Sequence, residues 1–309
     1  MNQSSNKELG LGIAFAALSY MLWGILPLIW KLVDDVPASE ILAHRVVWSL
    51  LFMLVILLLL RKFSSFFMEL KALVRNRKRF IGVACASVFI SINWGLYIWA
   101  VNEDRIIEAS LGYYINPLVS ILLAVIVLKE KLSVLQTLSI ILAGIGVLVL
   151  TVNFGSFPWV AIMLAVSFAF YGLIKKMVQL GALVGLAIET LLITPFALMF
   201  LTVVHVNGGG ALGESVSVTF LLLGAGVVTA IPLLLFASGA RRIPLSMIGL
   251  LQYIAPTIKL IIGVYLFHEP FTAVHLVAFT CIWLALVLYT LTLTKGLRMK
   301  RAVLSRKSA

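Results

Sequence analysis

The sequence predicts an all-α integral membrane protein, with ten transmembrane helices arranged as two inverted five-helix repeats around a central cavity. Three observations lead there: a composition too apolar for a soluble domain, ten long apolar runs whose flanking charges fall almost wholly on one side, and an internal repeat. Of 309 residues, 62% are hydrophobic and 12% charged, and the mean hydropathy is +1.12. Soluble domains hold about 45–50% apolar and about 25% charged residues. The two cysteines, Cys85 and Cys281, each sit inside an apolar run, which suits neither a metal quartet nor a disulfide framework. No metal or cofactor is expected.

A helix needs roughly 20 apolar residues to cross the hydrocarbon. Such runs lie near 11–31, 40–60, 80–101, 109–128, 134–151, 157–174, 183–204, 218–239, 245–266 and 272–293. The first follows a short polar lead and has no small-residue cleavage site, so it reads as a retained helix rather than a signal peptide. With the N-terminus cytoplasmic, 20 of the 24 basic residues fall in cytoplasmic segments. They are Lys7, seven between positions 61 and 79, the pairs Lys129 and Lys131, Lys175 and Lys176, Arg241 and Arg242, and six in the tail. Only Lys31 and Arg105 fall on the other side, and Arg45 and Lys259 lie within spans. This bias predicts both termini in the cytoplasm and accounts for the net charge of +12 without nucleic acid. The basic tail "KGLRMKRAVLSRKSA" has anionic lipid as its second reading. The "NGGG" at 207–210 reads as a connector, since no phosphate-cradling strand, loop and helix surrounds it.

The repeat appears when "YYINPLVSILLAVIVLKEKL" (113–132) is laid over "QYIAPTIKLIIGVYLFHEPF" (252–271). Tyr114, Ile115, Pro117, Val125 and Glu130 then fall on Tyr253, Ile254, Pro256, Val264 and Glu269, at an offset of 139. In "ALSYMLWG" and "AVSFAFYG", Ala17, Ser19 and Gly24 fall on Ala165, Ser167 and Gly172, at an offset of 148. The chain therefore divides into a first five-helix repeat, 1–152, and a second, 153–309. Because five is odd, the second copy must insert upside down. Inverted repeats of this kind recur in secondary transporters, whose binding site lies near the midplane between the copies.

On a helix, Gln252, Pro256 and Lys259 share one stripe, matched by Tyr113, Pro117 and Ser120 in the fourth span. A polar stripe in a bilayer should face protein or a water-filled cavity, and each proline removes a backbone donor and should kink its helix. Arg45 lies about five residues inside the outer end of span two, beside His44, which shares a face with Trp48. Its alternatives are a site and snorkelling to the interface. Asn93 and Tyr97 are one turn apart in span three. Span one sets Tyr20, Gly24, Pro27 and Lys31 on one stripe. Glu189, in the inner half of span seven, has no basic residue in its own helix, so it must pair, protonate or reach water. Proton coupling is one reading, and pairing with Lys175 or Lys176 is the other. Glu130 and Glu269, at equivalent helix ends, read as solvated caps.

Several segments, "EILAHRVVWS" (40–49), "NWGLYIWAVN" (93–102), "EASLGYYINPLVS" (108–120), "SFAFYGL" (167–173), "IET" (188–190), "PLLLFA" (232–237) and "QYIAPT" (252–257), are similar to those of a RarD-type member of the EamA family in the drug/metabolite transporter superfamily. The resemblance implies spans one to four and six to nine around a central cavity, with spans five and ten peripheral. An uncharged residue is usual in that family where Lys259 stands. It further implies export of a small metabolite or drug-like solute across a bacterial cytoplasmic membrane.

The expected substrate-binding set is Trp23, His44, Arg45, Asn93, Tyr97, Tyr113, Asn116, Gln252, Tyr253 and Lys259. Glu189 is the candidate for proton coupling, and Pro117 and Pro256 are the kinks. The expected partners are a small-molecule substrate and the lipid bilayer, not nucleic acid, with a homodimer left open. An enzyme would need convergent acid, base or metal ligands, yet His44, His205, His268 and His275 are scattered. A channel would need a filter-like run or a ring of like charges, and neither is visible.

Overall fold

The computed structural model describes residues 3–33, 35–103, 105–155, 157–266 and 271–307. The side chains of residues 3–6, 27, 31, 98, 101, 102, 106, 107 and 293–307 lie outside that description. The chain runs as α1 (Gln3–Trp30), a short 3-10 turn (Lys31–Val33), α2 (Ala38–Leu59), α3 (Phe63–Arg75), α4 (Arg77–Asn102), α5 (Ile106–Ile126), α6 (Val134–Phe154), α7 (Trp159–Val178), α8 (Ala182–Val206), α9 (Val216–Ala240), α10 (Leu245–Leu251), α11 (Ile254–Leu266) and α12 (Ala273–Lys307). Ten segments are long and apolar enough to cross a membrane: α1, α2, α4 to α9, α10 with α11, and α12. They match the ten runs read from the sequence, within a few residues at most ends.

Local chemistry sets the element ends. At the start of α6, Gln136 N–H donates to Ser133 Oγ (3.3 Å) and Ser133 N–H donates to Gln136 Oε1 (2.8 Å). This reciprocal cap satisfies two donors that the first turn leaves free. Gly155 ends the same helix at φ +79, a left-handed position that favours glycine. The N-terminus of α10 is capped from outside its own segment. Glu130, in the loop after α5, accepts from the N–H groups of Leu245 (2.8 Å) and Ser246 (3.1 Å) and from Ser246 Oγ (2.6 Å). Glu130 is thus a cap, as expected, but a part-buried one that ties two helices together. Its counterpart Glu269 lies outside the described residues.

Two features depart from the expectation. The first is α3, an amphipathic helix of 13 residues, too short to span and therefore missed by a search for long apolar runs. The second is the ninth span, expected as one kinked helix and found as two half-helices with Gln252 and Tyr253 between them. Pro256 has no N–H to offer the Gln252 carbonyl four residues back. That carbonyl instead accepts from Ala255 N–H (3.3 Å), and Tyr253 N–H reaches only to the Leu250 carbonyl (3.2 Å), so the turn tightens to three-residue spacing. Pro117 in α5, by contrast, sits inside a continuous helix.

Helix α1 packs against α9 and α11, while α7 packs against α4 and α5; α2 lies against both α8 and α9, α5 against α10, and α6 against α12. Small residues allow the closest approaches. A Cβ on Gly249 of α10 would come within 2.8 Å of Ile121 Cγ1 and 2.9 Å of the Pro117 carbonyl oxygen. At Gly226 of α9 a Cβ would overlap the Trp48 backbone of α2, where Ser49 Oγ also donates to the Gly226 carbonyl (2.9 Å). Gly224, one residue-pair away, has nothing within 4 Å. Gly226→Ala should therefore lower stability by about 1–3 kcal/mol, the usual cost of overpacking, while Gly224→Ala should be neutral. Thermal unfolding of the two variants in detergent checks this.

Candidate functional site

A cavity of about 470 Å3 opens between α1, α2, α4, α5, α7, α9 and the α10–α11 break, within the range of small-molecule sites. It lies toward the end of the bundle where α1 finishes and α2 begins, opposite the termini. Arg45 enters it from α2. Its Nε donates to Thr229 Oγ1 on α9 (2.8 Å), and its guanidinium carbon lies over the rings of Trp30 (4.9 Å) and Trp94 (5.3 Å). Lys259 enters from α11, with Nζ 3.9 Å from the centre of the Tyr113 ring. Tyr113 meets Tyr97 edge-on at 6.0 Å. Among the described residues, neither cation has a carboxylate within 4.0 Å. Aromatic faces and one hydroxyl are what hold two positive charges in place.

A polar chain crosses the wall between the half-helix break and α5. Gln252 Nε2 donates to Ser120 Oγ (3.3 Å), and Ser120 Oγ donates to Asn116 Oδ1 (3.1 Å). Gln252 Oε1 and the Tyr20 hydroxyl are each buried without a well-formed hydrogen bond, and the two side chains adjoin. On the α4 side, Asn93 Nδ2 donates to the Leu164 carbonyl (2.9 Å) and to Ser167 Oγ (3.0 Å), tying α4 to α7. Trp23 and Phe168 line the lower wall.

Of the ten residues expected to bind substrate, eight line this cavity: Trp23, Arg45, Asn93, Tyr97, Tyr113, Asn116, Gln252 and Lys259. Pro256 lines it too, and its carbonyl accepts from the Tyr114 hydroxyl (3.3 Å). Two of the ten do not. His44 is buried between Glu40 (3.6 Å from Nε2) and Trp48, whose Nε1 donates to His44 Nδ1 (3.2 Å). Glu40 in turn accepts from Ala211 N–H (2.7 Å), so this group secures the loop before α9. Tyr253 is fully buried in the core. Unforeseen lining residues are Trp30, Thr229, Phe168 and Leu233. A mid-helix threonine three residues before Pro232 is the signal the sequence offers for Thr229.

Below the cavity, Tyr20, Trp23, Phe168, Tyr171 and Phe236 close into one aromatic floor, with ring centres 5.5–6.2 Å apart. Glu189 lies beneath it, accepting from Lys175 Nζ (2.6 Å) and the Tyr171 hydroxyl (3.2 Å). The hollow beside this pair measures about 10 Å3, at the lower limit for a single water. Lys176 points elsewhere, donating to the carbonyls of Ala240 (3.2 Å) and Ile243 (2.6 Å). No group of three or more metal-ligating side chains forms among the described residues.

Residues 10–152 match the EamA-like transporter family. Over nearly its whole length the chain is similar to bacterial proteins. It is 48% identical to an uncharacterized transporter, YojE, of Bacillus subtilis, covering 96% of this chain and 99% of the other. It is 42% identical to protein RarD of Escherichia coli, covering 92% and 95%, and 25% identical to chloramphenicol-sensitive protein RarD of Pseudomonas aeruginosa, covering 90% and 93%. A solved crystal structure of a protein 16% identical in sequence superposes over 91% of this chain and 98% of the other with a TM-score of 0.69, which shows a shared fold.

The buried Lys175 and Glu189 pair can be tested directly. Removing either partner leaves the other charge uncompensated, which costs about 3–5 kcal/mol at a buried site. Lys175→Met and Glu189→Leu should each lower the thermal midpoint in detergent markedly, and the double variant should recover most of the loss.

Proposed function

The chain belongs to the EamA-like transporter family, among its RarD and YojE relatives, and on that premise we propose that it is a secondary transporter exporting a small organic solute with a carboxylate or other anionic group. The observation that carries this reading is the pair of cations, Arg45 and Lys259, facing a cavity in which no described acid meets them. Two such charges are stabilised most by a ligand of opposite sign, because attraction grows as water is excluded. The surrounding Trp23, Trp30, Trp94 and Phe168 suit an apolar body attached to that anion.

Alternating access is supported by how the helices exchange partners. Span one packs on spans eight and nine, while span six packs on spans three and four, as two inverted copies, 1–152 and 153–309, would. The broken ninth span beside the cavity is of the kind found at transporter binding sites. Both termini face the cytoplasm of a bacterial inner membrane in this reading, on the strength of the lopsided basic residues. The aromatic floor and the Lys175 and Glu189 pair then form the inner seal. A proton gradient would act through Glu189, since protonation removes the charge that holds Lys175.

Reconstituted into liposomes, the protein should show saturable counterflow of anionic solutes identified by thermal-shift screening. Arg45→Ala and Lys259→Ala should each weaken binding by about tenfold or more, as expected for losing about 1.5–3 kcal/mol of charge-assisted hydrogen bonding. Neutral analogues should be little affected. Failure to move any candidate solute, with or without a pH gradient, would refute the reading, and non-saturable flux would point to a channel.

A further inference from the structure

We infer that α3 and its basic flanks form a second ligand surface, independent of the cavity: an interfacial anchor that binds anionic phospholipid in the leaflet on the side of the termini. The chain builds it deliberately. Arg61, at φ 53, ends α2 in a left-handed turn. At the other end a single extended residue, Asn76, separates α3 from α4, and its Oδ1 accepts from Arg79 N–H (3.1 Å) to cap the first turn. The helix is therefore held at the same end of two spanning helices, and it packs against α2, α4 and α8.

Its faces are sorted by function. Phe66 and Leu73, two turns apart, are 3% and 0% exposed and dock the helix onto the bundle. One residue further on, about 100° around the axis, Phe67 and Val74 are 57% and 65% exposed. Continuing round come Lys71 and Arg75, both exposed. An apolar stripe beside a basic one is the arrangement of a helix lying in the plane of a bilayer surface, with its rings at the acyl boundary and its cations at the headgroups.

Charge selects the partner. Between positions 61 and 79 stand seven basic residues and one acid, Glu69, and Glu69 is engaged by Arg79 (3.9 Å). Arg61, Lys62, Lys71, Arg75, Arg77 and Lys78 have no carboxylate within 4.0 Å among the described residues. Lipid phosphates with net negative charge complement such a cluster, and neutral headgroups do not. Because α3 also touches α8, the helix that carries Glu189, a bound leaflet would brace the closed end of the bundle.

The test uses the full chain, with Cys85 and Cys281 replaced by serine, in bilayers of phosphatidylcholine alone or with phosphatidylglycerol added. A nitroxide is placed at Phe67→Cys or, as a control on the exposed opposite face, at Ala72→Cys. Oxygen should relax the label at position 67 more than a water-soluble nickel complex does, with the order reversed at position 72. The depth at position 67 should increase with phosphatidylglycerol, and this increase should be lost in Lys71→Gln/Arg75→Gln. In native mass spectrometry of the otherwise unaltered protein, the same double substitution should remove retained phosphatidylglycerol. If position 67 meets the nickel complex as readily as position 72, the face lies in water and the proposal fails. It also fails if depth and lipid retention ignore both lipid charge and the double substitution.

Discussion

A polar group left without a partner in hydrocarbon costs several kcal/mol, and the architecture of this chain follows from where its polar groups find partners. The ninth span shows the constraint at work. Pro256 leaves the Gln252 carbonyl without its usual donor, and the helix answers by tightening and breaking. A break is tolerable only against protein or a cavity, so it faces α5, where the Tyr114 hydroxyl donates to the Pro256 carbonyl and Ser120 takes the Gln252 amide. Gly249 lets α10 come close enough for these bonds. The disrupted backbone and the hollow in front of it are one feature.

The same constraint explains the sign of the cavity. Three of the described acids are engaged by backbone N–H groups. Glu108 accepts from Val160 N–H (2.8 Å) at the start of α7, Glu130 from two N–H groups at the start of α10, and Glu40 from Ala211 N–H (2.7 Å) before α9. Negative charge is favoured at the two helix starts among these, those of α7 and α10. Glu189 is held by Lys175 beneath the floor. With these acids occupied elsewhere, Arg45 and Lys259 are left to aromatic rings and a threonine hydroxyl. Electropositivity at the site is thus a consequence of where the carboxylates went.

The ten spans were legible because crossing a bilayer demands an apolar length that composition alone reveals. The stripe of Gln252, Pro256 and Lys259 was legible because polar residues at helical spacing in such a span must face inward together. Consecutive residues were harder. His44 and Arg45 are about 100° apart on one helix, and Gln252 and Tyr253 are consecutive in the break between α10 and α11; only one of each pair lines the hollow, whereas Asn93 and Trp94, also consecutive, both do. Which one depends on neighbours from distant segments: Glu40 and Trp48 hold His44, while Thr229 and Trp30 receive Arg45. Helix α3 was missed for a different reason. Its apolar residues are too few to span, and its purpose shows only once Phe66 and Leu73 are seen buried and Phe67 and Val74 are not.

The floor of the cavity binds these threads together. Tyr20 and Trp23 of α1 stand 148 positions before Phe168 and Tyr171 of α7, so in the proposed inverted repeat these rings occupy equivalent positions, with Phe236 between them. In the proposed alternating-access cycle, opening the end beneath the cavity would have to separate these rings, including Tyr171 and Phe236, nearly parallel at 16°. Aromatic pairs contribute roughly 0.5–1.5 kcal/mol each, so the floor holds several kcal/mol. A solute can shift such an equilibrium only by binding the two states differently. One that touched Arg45 and Lys259 alone would have no direct contact with the seal. Trp23 and Phe168, however, belong both to the cavity wall and to the floor, so a ligand whose anion meets the cations while its apolar body rests on these rings presses on the contacts that must rearrange.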